Sequence, residues 1–356
     1  MIETIIALVL VLGLLILVHE LGHFMTARSL GVDVEEFGMG FPPRIAGFKK
    51  GGVLYSINWI PFGGFVKIKG ESGEDRDDPK SFAAQRAWKK ALILSAGVIM
   101  NVILAFVLFV IGFNIGLPQA LDDSVKNYRV TDKNIVIAEV LPESPAANAG
   151  LQIGDKIIAI NDTTFGNIDD VQKVLQQNQD QESTWMIGKG DQQQSYTLKP
   201  EVLKDQAKPM VGVVMLETGV VHYGFFGSIW QAAKVTILMI GQMFEAFYSL
   251  IYNLVSRGAL DARLSGPVGV AVIASQVVSL GWIHVLQFAA VLSLNLAVIN
   301  ILPFPALDGG RLLFVLAESL TRRRLNQKVE AWIHNSGFIL LIILLIFITI
   351  RDIGRL

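Results

Sequence analysis

The chain has 356 residues, 52% of them hydrophobic and 17% charged, with a mean hydropathy of +0.50 and no cysteine. Soluble globular domains carry about 25% charged residues, so this composition excludes an ordinary soluble enzyme and requires part of the chain to lie in lipid. A formal net charge of −1 gives no global pull toward nucleic acid. Without cysteine there are no disulfides, iron–sulfur clusters or thiolate chemistry, and a metal site must be built from His, Asp or Glu.

A helix needs about 20 apolar residues to cross roughly 30 Å of hydrocarbon. Such runs occur at residues 5–18, extended by 21–27, and at 91–117, 285–302 and 338–350, which predicts four transmembrane helices. The first begins Met-Ile-Glu-Thr, without a basic leader or a small-residue cleavage site, and reads as a retained helix rather than a signal peptide. Between the first two helices, the Gly- and Pro-rich stretch 31–70 holds strand-like segments at 53–60 and 64–68, separated by the turn residues Pro61, Phe62 and Gly63. Residues 28–90 are basic (Arg28, Arg44, Lys49, Lys50, Lys67, Lys69 and others), as is the hinge carrying Arg311, Arg322, Arg323, Arg324 and Lys328. The positive-inside rule places both in the cytoplasm.

Both termini and residues 118–224 then lie outside, and that segment is acidic, with Asp122, Asp123, Asp155 and Asp180 among its charges. Within it the pattern predicts a strand at 135–140, then a short helix with Ser144 as N-cap and Pro145 first, closed by Gly150. A strand at 156–160, an amphipathic helix at 168–177 and a hairpin of 183–188 with 194–198 follow. Residues 225–255 are apolar and long enough to span but contain Lys234 and Glu245, and a fifth span would put the basic hinge outside. They read as an amphipathic helix on the outer membrane surface. The divisions are 1–117, 118–224, 225–282 and 283–356.

The chemistry begins at His19-Glu20-Leu21-Gly22-His23. On a helix this HExxH spacing puts two imidazoles on one face, where both bind a single zinc, and sets the Glu to take a proton from the zinc-bound water. Three ionisable groups inside an apolar helix are costly, and a merely satisfied pair of histidines does not account for them. A catalytic zinc usually has three protein ligands, and Asp308 is the best candidate for the third. It ends Asn300-Ile301-Leu302-Pro303-Phe304-Pro305-Ala306-Leu307-Asp308, an irregular stretch after an apolar helix. On their own, Asp308-Gly309-Gly310 would read as an ordinary helix-end turn.

These motifs resemble the site-2 protease family of intramembrane zinc metalloproteases, of the bacterial regulator of sigma-E protease type. The likeness is carried by His19-Glu20-x-x-His23, by Gly97-x-x-x-Asn101, by Asn300-x-x-Pro303 leading to Leu307-Asp308-Gly309, and by Leu141-Pro142-Glu143-Ser144-Pro145-Ala146-Ala147 through Gly154-Asp155, which resembles a PDZ domain. It implies a polytopic α-helical membrane protein of four transmembrane helices, with a cytoplasmic-side membrane-associated β-hairpin and an inserted extracytoplasmic α+β PDZ domain. It also implies one Zn2+ per chain, held by His19, His23 and Asp308, with Glu20 as general base and later proton donor. Asn300 would position the substrate backbone or stabilise the oxyanion. Gly64, Phe65 and Val66 would bind substrate as an exposed strand edge, or simply pack against the cytoplasmic face. Gly97 and Asn101 would support the site, Asn101 equally well as a helix-packing group. The segment Leu264-Ser265-Gly266-Pro267-Val268-Gly269 also resembles a family segment.

The implied function is hydrolysis, within or near the bilayer of a bacterial inner membrane, of single-pass proteins such as anti-sigma factors or remnant signal peptides, already trimmed outside by a site-1 protease. There is room for one PDZ module where the best-known members have two. The alternatives are a peptidase for soluble or surface-exposed peptides, which would not need Asp308, and a PDZ-bearing membrane scaffold with a structural metal site. His222, His284 and His334 read as interfacial residues rather than ligands, and no nucleic-acid module is evident.

Overall fold

The computed structural model describes residues 2–121, 125, 128–177, 181–189, 192–202, 209–257, 266–322 and 326–354. Asp122, Asp123, Asp180, Leu264, Ser265, Arg323 and Arg324, singled out above, lie outside these residues. The chain divides into two compact units, Met1–Val110 with Ile229–Leu356, and Ile111–Ser228.

In chain order the helices and strands begin with α1 (Ile2–Ser29), β1 (Val34–Lys50), β2 (Val53–Ile68) and α2 (Ala87–Ile115). The second unit contributes β3 (Leu117–Ala120), β4 (Arg129–Val140), α3 (Pro145–Asn148), β5 (Lys156–Ile160), β6 (Thr163–Thr164), α4 (Ile168–Gln177), β7 (Ser183–Lys189), β8 (Gln192–Leu198), β9 (Glu201–Val202), β10 (Pro209–Met210) and β11 (Val213–His222). Then come α5 (Gly224–Arg257), α6 (Pro267–Ser279), α7 (Trp282–Ile301), α8 (Asp308–Thr321) and α9 (Gln327–Ile353).

Among the described residues, five helices are long and apolar enough to cross a membrane: α1, α2, α5 over Gly224–Asn253, α7 and α9. Four coincide with the predicted spans. The fifth, α5, meets the length criterion with the lowest mean hydropathy of the set, 1.4 against 1.8 to 2.7, because Gln231, Lys234, Gln242 and Glu245 punctuate one face. Ile2, Ile5, Ile6 and Leu10 on α1 and Phe338, Ile339, Ile343 and Phe347 on α9 are exposed, a continuous apolar surface that suits lipid and not water.

In the first unit α1 and α2 approach at Gly22, where a Cβ would stand 2.5 Å from the Ala96 carbonyl oxygen. The short helix α6 packs against α1, α7 and α9. The Asp352 carboxylate of α9 accepts from the amides of Gly266 and Gly269 at 2.9 and 2.8 Å, serving the N-terminus of α6, which has no side-chain cap of its own.

β1 and β2 form a bent two-stranded sheet. Residues 34–39 of β1 register with 64–68 of β2 on one side and residues 36–41 with 54–60 on the other, while 44–50 register with 53–58. The expected segments 53–60 and 64–68 are thus two legs of one long strand, with Gly63 at φ +97° where the chain turns. Among the described residues the leg 64–68 pairs along one edge, and its other edge is open. The sequence pattern does not mark β1, because Phe41-Pro42-Pro43-Arg44 reads as a loop, or α8, because Arg311 and the basic residues that follow the helix read as a hinge.

The second unit holds a seven-stranded sheet ordered β3-β11-β4-β5-β7-β8, with β6 beside β5. Its core gathers Ile137, Ile157, Ile160, Val171, Trp185, Ile187 and Leu198, and Trp185 Nε1 donates to Ser183 Oγ at 2.9 Å. The Ser144 cap, with its hydroxyl accepting from the Ala147 amide at 3.2 Å, and the hairpin β7–β8 follow the sequence expectation. β3 and β11 were not anticipated; Thr218 and Gly219 interrupt the apolar alternation of β11.

Candidate metal centre

His19 and His23 project from one face of α1, and Asp308 is the first residue of α8. The three side chains converge from 289 residues apart: His19 Nε2 lies 3.0 Å from Asp308 Oδ2, His23 Nε2 lies 3.3 Å from the same oxygen, and the two Nε2 atoms are 3.2 Å apart. Both histidines are nearly fully buried, at 6% and 7% exposure.

Several local features produce this convergence. The loop between α7 and α8 turns back so tightly that a Cβ on Gly309 would collide with the carbonyl oxygens of Ile301 and Leu302, and one on Gly310 with that of Phe304. Ala306 is held at φ +80°, a left-handed conformation costing a non-glycine residue on the order of 1–3 kcal/mol. Its amide donates to His334 Nδ1 at 3.2 Å, and Gly337, one turn further along α9, lets that helix close on Pro305. On α2, Gly97 faces the histidine pair: a Cβ there would meet His23 Nε2 and lie 2.7 Å from His19 Cε1.

The donor set fits zinc. His23 Nδ1 lies 2.8 Å from the Ile93 carbonyl oxygen, which only accepts, so this nitrogen carries the proton and Nε2 offers its lone pair. That lone pair faces a carboxylate oxygen and a second imidazole, an arrangement that calls for a cation among them. Ligand atoms about 2.1 Å from a tetrahedral zinc stand about 3.4 Å from one another, close to the three separations given above.

Asn101 lies on α2 with Nδ2 3.4 Å from His19 Nδ1 and with its buried Oδ1 unpartnered. Amide oxygen and nitrogen are interchangeable by a flip. Turning this amide sets Oδ1 against His19 Nδ1–H, which frees His19 Nε2 as a ligand and satisfies the orphaned oxygen. The Asn101 carbonyl also accepts from Ser293 Oγ of α7 at 2.8 Å, so the residue both faces the site and joins two helices. Asn300 approaches from α7, its Nδ2 3.5 Å from His19 Nε2.

Two cavities meet at this cluster. One, of about 260 Å3, is polar, with Glu71, Arg311 and His334 in its wall; Arg311 pairs with Glu71. The other, of about 460 Å3, is more apolar, lined by Ile16, Phe41, Leu296 and Asn300. They share His19, Glu20, Ala306 and Asp308, and the open leg of β2 borders both, through Gly63 and Gly64 on the apolar side and Phe65, Val66 and Ile68 on the polar side. Gly64 also passes close to Glu20, whose Cγ would stand 3.6 Å from a Cβ at that position. His334, read from sequence as an interfacial residue rather than a ligand, lies in this wall and outside the ligand group. His222, by contrast, bonds Thr131 Oγ1 at 3.1 Å within the second unit.

Comparison with known proteins agrees with this chemistry. The model of peptidase family M50 matches residues 7–344. The regulator of sigma-W protease RasP of Bacillus subtilis is 27% identical over 439 aligned positions, covering 100% of this chain and 99% of its own. That alignment is longer than this chain, so the Bacillus protein carries residues with no counterpart here. The zinc metalloprotease RasP of Geobacillus kaustophilus is 29% identical, covering 99% and 98%. A Clostridium perfringens protein, named provisionally as a zinc metalloprotease, is 33% identical over 95% of both chains. Among solved structures, the PDZ domain of the SdrC-like protein of Listeria monocytogenes covers 24% of this chain and 92% of its own at 19% identity, with a TM-score of 0.22. By the extent of the family match and its near full-length relatives, this chain belongs to peptidase family M50, the site-2 proteases, and is a zinc-dependent metalloprotease of the membrane.

Proposed function

We propose that this protein cuts single-pass membrane proteins within or near their spanning segment, on the cytoplasmic side of a bacterial inner membrane, with zinc held by His19, His23 and Asp308. The observation that carries the proposal is the meeting of those three side chains at the end of an open strand edge, between a polar and an apolar cavity. Zinc in this shell supplies Lewis acidity, polarising the scissile carbonyl and lowering the pKa of its water toward about 7. Glu20, in the wall common to both cavities, accepts the proton of the attacking water and returns it to the leaving nitrogen. Asn300 holds the substrate backbone on the apolar side. A helical substrate hides its peptide bonds, and the open edge at Gly64, Phe65 and Val66 draws the segment into extended form by β-augmentation.

Four crossings are supported by the direction of the helices, and both termini outside by the basic residues of 28–90 and 311–328. His19 and His23 sit in the C-terminal half of α1, Asp308 follows the C-terminus of α7, and the two meet, so α1 and α7 run the same way across the bilayer. An odd number of crossings must therefore separate them. α2 supplies one. Counting α5 would require α6 as well, and its 13 residues extend only about 20 Å, short of the roughly 30 Å needed. α5 then lies along the outer surface with its charged face toward water.

The PDZ-like unit stands outside and admits substrates already trimmed by a first protease. The Bacillus relative is named for regulating sigma-W, which makes anti-sigma factors the first substrate class to try, with remnant signal peptides next. Glu20→Gln separates this from a scaffold with a structural metal. The purified variant is expected to retain its zinc and lose at least about a hundredfold in cleavage of a model single-span substrate. Undiminished cleavage would refute the assignment of Glu20.

A further inference from the structure

His334 has no part in the ligand set, yet its position is closely determined. It accepts the Ala306 amide at Nδ1 at 3.2 Å, and a backbone N–H only donates, so Nδ1 is bare and the neutral ring carries its proton on Nε2. The ring lines the polar cavity together with His19, Glu20, Asp308 and the β2 leg at Phe65 and Val66. The close seat of Gly337 on Pro305, one turn along α9, fixes the helix and therefore the ring. A half-buried imidazole with one edge tied to the loop thus brings an N–H to the cavity.

Asn300, a side-chain donor beside the cluster, lines the apolar cavity and not the polar one, whereas His334 lines the polar cavity and not the apolar one. A substrate strand added to the open leg of β2 passes through both, with its scissile bond at the shared wall of His19, Glu20 and Asp308. Every peptide it brings carries a carbonyl in need of a donor, and those in water-poor surroundings are expensive to leave unpaired.

We propose that His334 is a substrate-contacting residue whose Nε2–H donates to a backbone carbonyl of the extended substrate in the polar cavity, on the opposite side of the scissile bond from Asn300. The two donors then clamp the peptide in register with Glu20, one on each flank. The arrangement rests on the β-augmentation reading given above.

The test compares the full-length chain with His334→Phe and His334→Gln in proteoliposomes, using a fluorogenic single-span substrate and measuring zinc per chain in each. Phe removes both the acceptor and the donor. Gln restores an acceptor oxygen for Ala306 and an N–H for substrate. The expected result is a fall in kcat/KM of about tenfold to a hundredfold for His334→Phe, recovery to within roughly threefold of wild type for His334→Gln, and one zinc per chain throughout. Wild-type kcat/KM in His334→Phe would overturn the proposal. So would a loss that tracks loss of zinc, since His334 would then serve only to hold the Asp308 loop. Glu20→Gln run in parallel keeps the two claims apart: activity surviving there removes the mechanism, whatever His334 does.

Discussion

A methyl group at Gly97 would meet His23 Nε2 and stand 2.7 Å from His19 Cε1. Gly97 is buried, so the roughly 1 kcal/mol that Gly→Ala gives an exposed helix interior is here opposed by the clash, and Gly97→Ala obstructs the metal. The variant is expected to insert and fold, and to retain well under half of the wild-type zinc when metal per chain is measured by mass spectrometry. Full zinc occupancy would show that α2 has room to retreat. This level of detail is only partly legible in the sequence. His19, Glu20 and His23 declare themselves because their spacing is set within one helix turn, and Asp308 because a carboxylate after a broken apolar helix needs a reason. Gly97 and Asn101 enter the sequence reading only through the family resemblance, and His334 not as a site residue, because which faces of α2 and α9 turn toward α1 and the α7–α8 loop is decided by packing between segments far apart in the chain.

At the level of elements, the leg of β2 from Gly64 to Ile68 is paired with β1 on one side and open on the other, beside Glu20. A Cβ at Gly64 would touch Ile16 Cγ2 at 3.5 Å and Glu20 Cγ at 3.6 Å, and the γ-methyls of a valine reach further. Gly64→Val is therefore expected to lower turnover by about tenfold or more while leaving zinc content unchanged, read by the same cleavage and metal assays. Unaltered turnover would place the substrate path elsewhere. The apolar helices were readable from hydropathy alone, and β5, α4 and the β7–β8 hairpin from periodicity and turn residues. β1 was not, since Gly- and Pro-rich strands lose the alternation that marks them and gain pairing only once β2 is in place. α8 was hidden by Arg311 and the basic residues that follow the helix, which suggest a solvated hinge although Gly309, Gly310 and Val315 are buried.

For the molecule as a whole, the number of crossings decides on which side the chemistry happens. The chain has no cysteine, so single introduced cysteines report topology without background. Ser279, at the exposed end of α6, lies outside if α1 and α7 run parallel with only α2 between them. Ser279→Cys in intact cells is then expected to react with a membrane-impermeant maleimide, whereas Lys50→Cys at the tip of the β1–β2 sheet reacts only after permeabilisation. Protection of both positions in intact cells would mean that α5 crosses the membrane, since α2 and α5 would then return the chain to the side of Lys50. The near-zero net charge is at this scale a sum of opposites, with residues 28–90 basic and residues 118–224 acidic. The central claim is that the His19–His23–Asp308 centre cuts peptide bonds inside the membrane, and mapping the scissile bond tests it most directly. A single-span substrate co-reconstituted with the zinc-loaded protein, its products sequenced by mass spectrometry beside a Glu20→Gln control, is predicted to be cut within the apolar segment near its cytoplasmic end by the wild type alone. Cleavage only outside that segment, or equal cleavage by Glu20→Gln, would contradict the account.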